Sequence, residues 1–418
     1  MALKQRLRLT LSALPLLWPL SATTQEATIT SAARAIHDSA IVIDAHADTP
    51  FRMFHENYDI ASPDPRDPEF ISLDKARTGN LAAVFFSIFV VPRPGEKLYA
   101  TTAFEIIDTV YLQAARHSDR MMMAFSSEDI ERAHAQHKLA ALMGLEGGHC
   151  IENNLSLLRD FQRLGVRYMT LSWSVSNDWA DSGDDLNDAT VTHHNGLTDF
   201  GKQVVAEMNR IGMIVDISHV SDKTFWDAIA IARAPLIASH SSARALLDAS
   251  RNMSDDMLRA VAKNGGVVNV AFPGSFVDPN FNQGAIAQHQ RMLTAAAEYN
   301  QKRQAAGFPV TPDDTQRFDL EWLAQNSIPR APLKSLIDHI HHVAKVAGID
   351  HVGLGSDFNG TAFLPAGIDT AADYPKITQA LLDRGYIASD IKKILGGNML
   401  RVLREVVAKS RELQAEHQ

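Results

Sequence analysis

The sequence predicts one (β/α)8 barrel, the α/β fold also called a TIM barrel. From Ile41 onward, eight short β-rich runs alternate with amphipathic helical stretches. Most of these runs are almost continuously apolar, as expected for parallel strands that are buried on both faces. Several of them end in a histidine or a carboxylate, at the end of a barrel strand where active sites form. An open doubly wound sheet alternates in the same way and remains an alternative at this point.

The first residues have the pattern of a secretory signal. Three basic residues precede an apolar run over 9–20, and the small residues Ser21 and Ala22 follow it. The run is short for a membrane anchor, which needs about 20 apolar residues. We therefore expect a cleaved signal peptide over 1–22. The mature chain is then exported, to a bacterial periplasm or the medium, with no stable membrane anchor.

The barrel elements follow in order along the chain. The predicted strands are 41–46, 82–90, 140–147, 168–172, 214–219, 235–240, 266–272 and 351–358. Helical stretches separate them, for example 156–165 and 198–212, the second of which ends at Gly212, a common helix stop. Residues 278–332 show no strand pattern and contain a helical stretch. We therefore predict one domain over 23–418, with a helical insertion around 278–332.

The composition is that of a soluble enzyme and excludes some partners. Of the 418 residues, 45% are hydrophobic and 21% are charged, which is ordinary for a globular domain. The net charge is −9, and loss of the basic leader makes it more negative. A protein with this net negative charge is not expected to bind nucleic acid or anionic membranes. Cys150 is the only cysteine, so no intramolecular disulfide can form.

Polar side chains at the predicted strand ends are the candidate site. They are His46 and Asp48 after strand one, Glu146, His219, His240 and Asp357. Residues two apart on a strand point the same way, so His46 and Asp48 can reach one metal ion. One such histidine is more often structural, and the His-x-Asp pattern alone is common. Polar groups on five strand ends at the barrel mouth, however, would need partners or a metal there.

The residue types indicate which metal. Three imidazoles with carboxylates suit Zn²⁺, and Mn²⁺ or Co²⁺ can substitute. Five ligands are too many for one open catalytic zinc, but they suit two ions that share a carboxylate. The sequence therefore predicts two metal ions per chain.

Eight stretches of the chain resemble the membrane (renal-type) dipeptidase family of zinc peptidases, which are amidohydrolase-like metal-dependent hydrolases. They are IDAHAD, GLEGGH, LGVRYMTLSW with NDWADS, VDISHVS, ASHSSAR, RNMSDDMLRAVAKNGGVVNV, GLGSDFNG and GGNMLRVL. The resemblance runs from about Ile41 to Leu403. It implies a (β/α)8 barrel, often as a homodimer, that cleaves dipeptides, often with a D-residue at the C-terminal side. Some members open β-lactams.

The resemblance also implies the metal ligands. His46 and Asp48 match the ligands of one zinc, and His219 and His240 match those of the other. Glu146 matches the carboxylate that bridges both ions.

Two further roles and two departures follow from the same match. Asp357 matches the acid/base near the bridging hydroxide, and Arg251 matches the arginine that holds the substrate's free carboxylate. Where active family members have a histidine after strand four, this chain has Trp173, which we place at the substrate. An indole donates one hydrogen bond but cannot be protonated. The family's DFDG is DFNG here, with Asn359, and we expect little effect.

Three functions remain open from the sequence. The first is a zinc dipeptidase that uses a metal-bridging hydroxide. The second is a binuclear metal hydrolase of another small amide, such as an N-acyl amino acid or a lactam. Trp173 in place of the family histidine is the feature that supports it. The third is a catalytically silent binding protein, which the retained ligands and Asp357 argue against.

Other polar residues near these motifs are expected to be structural. Asp44 points the same way as His46 and is expected to orient a ligand histidine. His339, His341 and His342 lie on a predicted helix and are expected to pack in the core or face solvent.

Overall fold

The computed structural model describes residues 28–62, 70–92, 98–361 and 363–416. The predicted signal peptide lies outside these residues. The strands of the described part are Val42–Ala47 (β1), Leu81–Phe89 (β2), Met121–Met123 (β3), Leu139–Glu146 (β4), Val166–Thr170 (β5), Ile214–Asp216 (β6), Ile237–Ala243 (β7), Asn252–Met253 (β8), Val267–Ala271 (β9) and Val352–Gly355 (β10).

Helices cover the outside of the strands. Those of the described part are Ser31–Asp38 (α1), Thr49–His55 (α2), Leu73–Thr78 (α3), Tyr99–Arg116 (α4), Ser127–Ala135 (α5), Leu155–Arg163 (α6), Asp199–Ile211 (α7), Asp222–Ile231 (α8), Asp255–Asn264 (α9), Gly274–Val277 (α10), Pro279–Ala305 (α11), Pro312–Gln325 (α12), Leu333–Ala347 (α13), Tyr374–Asp383 (α14), Ala388–Lys392 (α15) and Asn398–Ala415 (α16). None of the helices in these ranges is long and apolar enough to cross a membrane.

Eight parallel strands form the barrel, which confirms the predicted fold. Their order is β1-β2-β4-β5-β6-β7-β9-β10, and the short β3 and β8 pair with β4 and β7. The first and last strands meet at their C-terminal ends, where Ala47, the last residue of β1, bridges to Phe358, which lies beyond β10. There the Asp48 N–H donates to Phe358 O at 2.7 Å and the Asp357 N–H donates to His46 O at 3.0 Å. The closing bonds therefore run through the candidate site itself.

The barrel interior is a packed core with period-two alternation. Ile43, Phe85, Leu142 and Tyr168 belong to one buried cluster, while their chain neighbours pack outward against the helices in another. Each fully buried aliphatic or aromatic side chain contributes about 1.5–3 kcal/mol. This core supports the polar side chains that follow the strands at the C-terminal face.

The predicted strands all occur, with three informative differences in their ends. β10 stops at Gly355, two residues before Asp357, although the sequence predicted a strand over 351–358. β6 stops at Asp216, three residues before His219, because His219 adopts a left-handed turn with φ of 68°. β7 continues to Ala243. His240 therefore lies inside a strand, whereas the sequence predicted that it ends one. β3 and β8 were not predicted, because two or three residues are too few to show a pattern.

Helices α11 and α12 lie between β9 and β10, in the region of the predicted insertion. Asp278 caps α11 by accepting a hydrogen bond from Phe281 N at 2.7 Å, and Pro279 occupies the first turn, where its missing N–H costs nothing. The helix with the three histidines is α13. His339 is buried there and accepts from Ala243 N at 3.0 Å.

Candidate metal centre

Glu146 lies at the centre of the candidate site. It is the last residue of β4, is buried, and turns its two oxygens in different directions. Oε2 lies 3.3 Å from His46 Nε2, whereas Oε1 lies 2.9 Å from His219 Nε2 and 3.8 Å from His240 Nε2. One carboxylate thus faces His46 with one oxygen and the pair His219 and His240 with the other, and ligand atoms of His46, Glu146 and His240 lie within 4.8 Å of one another.

The first group, called here the carboxylate half, consists of His46, Asp48 and Asp357 together with Glu146 Oε2. Asp48 Oδ2 lies 3.5 Å from His46 Nε2, and ligand atoms of His46, Asp48 and Asp357 lie within 4.8 Å of one another. Gly360 makes this close approach sterically feasible. A Cβ at that position would lie 2.1 Å from Asp357 Oδ1 and 2.3 Å from Asp48 Oδ2.

The second group, called here the imidazole half, consists of His219 and His240 together with Glu146 Oε1. The two Nε2 atoms lie 2.9 Å apart and both rings are buried. The left-handed turn that carries His219 has a counterpart in the carboxylate half, where Asp357 has φ of 59°. Non-glycine residues in this region cost about 1–3 kcal/mol and cluster at functional sites. Asn359 (φ of 69°) also suits such a turn, because asparagine tolerates it well.

Other side chains hold the far sides of the imidazoles. His46 Nδ1 lies 2.8 Å from the Tyr168 hydroxyl, and His240 Nδ1 lies 2.8 Å from Ser239 Oγ. Ser239 Oγ also donates to Asp216 Oδ2 at 2.6 Å. Asp44 does not orient the His46 ring, contrary to our expectation. Its Oδ1 accepts from the backbone N–H of His46 at 3.2 Å instead.

A glycine makes room for the tyrosine beneath His46. Gly144 of β4 stands in register with Tyr168 of β5, and a Cβ at Gly144 would lie 1.9 Å from Tyr168 Cζ. The phenol ring therefore occupies the space of the missing side chain. On the neighbouring strand, Ser87 Oγ donates to Glu146 Oε2 at 2.8 Å, which orients the central carboxylate.

The electrostatics of the two halves differ. Burial, and then the charge of Asp48, raise the pKa of Asp357 well above its usual value. Burial alone would raise the pKa of Glu146, but the charges of His46 and His219 and the hydrogen bonds from both rings together outweigh it and hold that pKa well below the usual range. Burial, and then the charge of His46, lower the pKa of His240. The carboxylates therefore crowd negative charge together, while His240 presents a neutral nitrogen.

The donor set fits divalent metal ions. His46 Nε2 and Asp48 Oδ1 are buried and make no hydrogen bond with the described residues. Buried polar atoms without partners are costly, and a cation relieves both this cost and the repulsion between the carboxylates. His46, Asp48 and Glu146 Oε2 can hold one ion. His219, His240 and Glu146 Oε1 can hold another.

The two predicted substrate-side residues flank this centre. Arg251 is buried, with Nη2 donating to His240 O at 3.4 Å and its Cζ lying 5.4 Å from the centre of the Phe276 ring. Trp173 follows β5 and is half-buried. Its ring centre lies 4.6 Å from that of Phe89 and 6.3 Å from that of His219. The structure thus brings all eight predicted site residues to one end of the barrel.

Sequence reasoning missed the residues that support the candidate ligands, namely Tyr168, Ser87, Ser239 and Asp216. Asp216 carried a usable signal, because a carboxylate inside the apolar run MIVDI needs buried partners. The others are ordinary residues of β-strands and show no pattern of their own.

The profile of the family described as "Membrane dipeptidase (Peptidase family M19)" matches residues 30–417. The chain belongs to the membrane dipeptidase family. It is therefore a metal-dependent hydrolase, as the resemblance predicted.

Named relatives of this dipeptidase family member agree with the assignment. The chain is similar to "Dipeptidase tcpJ" of Claviceps purpurea (strain 20.1), with 34% identity over 376 residues that cover 87% of this chain and 76% of that protein. "Dipeptidase 3" of Homo sapiens is 30% identical over 388 residues, covering 92% of this chain and 69% of that protein. The crystal structure of "the probable dipeptidase PvdM from Pseudomonas aeruginosa" shares the fold, with a TM-score of 0.75, 27% identity and coverage of 90% and 98% of the two chains.

Proposed function

We propose that this enzyme is a two-zinc dipeptidase that hydrolyses dipeptides with a free C-terminal carboxylate, including those with a D-residue at the C-terminal side. The proposal rests on the orientation of the Glu146 carboxylate, which turns one oxygen to each half of the site. A carboxylate that offers one oxygen to each side can bridge two ions held close together in one site. The names of the relatives supply the substrate class.

Zinc is proposed because three imidazole nitrogens with carboxylate oxygens suit it, and Mn²⁺ or Co²⁺ can replace it. Two such ions would supply an activated water and Lewis-acid stabilisation of the carbonyl oxygen. His46 and Asp48 would hold one ion and His219 and His240 the other, with Glu146 between them. Tyr168 and Ser239 fix the ring orientations that leave both Nε2 atoms facing inward.

Asp357 is the proposed acid/base. Its carboxylate lies at the mouth of the carboxylate half, within 4.8 Å of the ligand atoms of His46 and Asp48. A carboxylate there can accept the proton of the attacking water and pass it to the nitrogen of the leaving amino acid. Arg251 binds the C-terminal carboxylate of the substrate through its guanidinium N–H groups, which can form two parallel hydrogen bonds.

Trp173 is the residue that favours the second candidate function, hydrolysis of another small amide. Its half-buried ring packs on Phe89, so the indole adds apolar surface where a histidine would add a donor that can be protonated. This favours an apolar group at that side of the substrate. The acyl part of an N-acyl amino acid would meet the same requirement and keep the carboxylate for Arg251.

A substrate panel with metal analysis tests the proposal. It should contain L,L and L,D dipeptides, their C-terminal amides, N-acyl amino acids and a β-lactam. We expect two ions per chain, turnover of free dipeptides, and a loss of about 10–150-fold in kcat/KM on amidation. Silence on dipeptides with turnover of N-acyl amino acids would instead support the second function. No turnover by the metal-loaded protein would indicate a binding protein.

The leader, location and assembly are proposed with the function. The basic start, apolar run and small residues of 1–22 support export to a periplasm or the medium. A homodimer is expected from the family resemblance. Mass spectrometry of the mature N-terminus and the mass in solution test both expectations.

A further inference from the structure

Arg251 is held on three sides, which limits the edge that it can offer to a substrate. Its Nη2 donates to His240 O at 3.4 Å and its Cζ lies 5.4 Å from the centre of the Phe276 ring. Its Nε lies 3.9 Å from Asp184 Oδ2. Nη1 is buried and has no hydrogen-bond partner among the described residues. The unpaired donor therefore belongs to the edge away from Asp184.

Asp184 is itself fixed in place. Ser250, the residue before Arg251, donates from Oγ to Asp184 Oδ1 at 2.5 Å. The preceding Gly183 donates its N–H to His219 O at 2.8 Å, which docks the loop against the imidazole half. The side chain of Asp184 is 23% exposed and its Oδ2 lies 4.0 Å from His219 Nδ1. The carboxylate thus lies between the guanidinium and one of the proposed ligand histidines.

We propose that Asp184 is a positioning residue for recognition of the substrate's C-terminal carboxylate. This inference rests on the proposed function and goes beyond it. Asp184 attracts the Nε side of the guanidinium, so that Nη1 and its neighbouring edge are left for the incoming carboxylate. A planar guanidinium offers distinct pairs of donors, and occupying one side selects the other.

The charge of Asp184 has a second effect. Without substrate, it partly neutralises the buried Arg251, since an unpaired buried charge is costly. Without Arg251, however, the same carboxylate faces the carboxylate of the substrate and repels it. Asp184 therefore favours binding of the substrate's carboxylate when Arg251 is present and opposes it when Arg251 is absent. A purely structural role of Asp184 would not produce this change of sign.

The test measures binding, so it does not depend on turnover. A phosphinate dipeptide mimic with a free carboxylate, and the same compound as the C-terminal amide, are titrated calorimetrically into the metal-loaded protein. Asp184→Asn should weaken the free acid about tenfold and change the Kd of the amide less than about twofold. Asp184→Glu should restore part of the loss. Asp188→Asn, the same substitution further along this loop, is the matched control and should bind like the wild type.

The double variant gives the sharpest outcome. Arg251→Ala with Asp184→Asn should bind the free acid a few-fold more tightly than Arg251→Ala alone. Equal or weaker binding by the double variant overturns the proposal. So does a loss for Asp184→Asn that is equal on acid and amide, or a fall in its metal content, which would mean that Asp184 acts through His219. If instead the wild type does not distinguish acid from amide, the proposed role of Arg251 fails, which is a different result.

Discussion

The two halves of the metal centre are supported by carboxylates with the same hydrogen-bonding pattern but very different chain separation. In the carboxylate half, Asp44 of β1 accepts from Ser356 N at 2.8 Å and from Tyr374 OH at 2.7 Å. These bonds join residues 312 and 330 positions apart. They connect the first strand of the barrel to the last strand and to the helix that follows it.

In the imidazole half, Asp216 of β6 accepts from Ser239 N at 2.8 Å and from Thr170 Oγ1 at 2.6 Å. These partners are 23 and 46 positions away. The imidazole half therefore needs only neighbouring strands to form, whereas the carboxylate half needs the barrel to close. Because closing a longer loop costs more entropy, the carboxylate half costs more chain entropy to form than the imidazole half.

Glu146 links the halves, and its replacement should have the largest effect. Glu146→Ala removes a donor from both halves, so we expect loss of both ions and a fall in kcat/KM of more than about 10³-fold. Glu146→Gln keeps one oxygen and should retain one ion. Elemental analysis of protein never exposed to chelator decides between these states. Wild-type metal content in Glu146→Ala would refute the bridging role.

Asp357→Asn should lower the rate of hydrolysis without loss of the ion from either half of the site. The amide keeps the shape of the carboxylate but cannot carry a proton, so kcat should fall by about 10²–10⁴-fold while both ions remain bound. Steady-state kinetics with metal analysis check this. A kcat within a few-fold of the wild type would show that another group transfers the proton.

Paired variants of the residues behind the imidazoles should separate the halves. Tyr168→Phe removes the partner of His46 Nδ1, and Ser239→Ala removes that of His240 Nδ1. Each should weaken one ion by about 10–100-fold and leave the other nearly unchanged. Chelator competition resolves the two affinities. Equal weakening of both ions by either variant would mean that the halves are not independent.

The smallest effect on activity at neutral pH is expected from His339, which supports the end of β7. Burial lowers the pKa of His339 to about 4. Because its pKa is about 6.5 in the unfolded chain, the unfolded chain binds the proton first, and stability falls as the pH drops from about 6.5 to about 4. The loss approaches about 3 kcal/mol.

His339→Gln should therefore reduce the difference in unfolding free energy between pH 7.5 and pH 4.5, measured by denaturant titration. His341→Gln, on the exposed side of the same helix, is the control and should leave that difference as in the wild type. An unchanged difference in His339→Gln would assign the acid sensitivity to other groups.

The fold and the gathering of the candidate site residues at one end of the barrel could be predicted because both follow from local properties of the sequence, whereas the role of each residue came from the family resemblance. Apolar runs mark the strands, and polar residues after them mark the C-terminal face. The supporting contacts could not be predicted in this way, because they depend on register between strands. His46 and Tyr168 are 122 positions apart, and the sequence around either residue gives no sign of the contact. The left-handed turn at His219 was missed because the run IVDISHVS contains no glycine, proline or asparagine to mark a turn there.

The contact between Gly144 and Tyr168 also constrains how this protein can change over generations. Since the phenol ring fills the space that any side chain at Gly144 would need, the two positions cannot vary independently. A descendant that acquires alanine at 144 must first give up the tyrosine, and with it the hydroxyl behind His46. Once the tyrosine is lost, position 144 is free to accept a side chain. Inheritance at one residue of β4 is thereby tied to the ligand chemistry of β1.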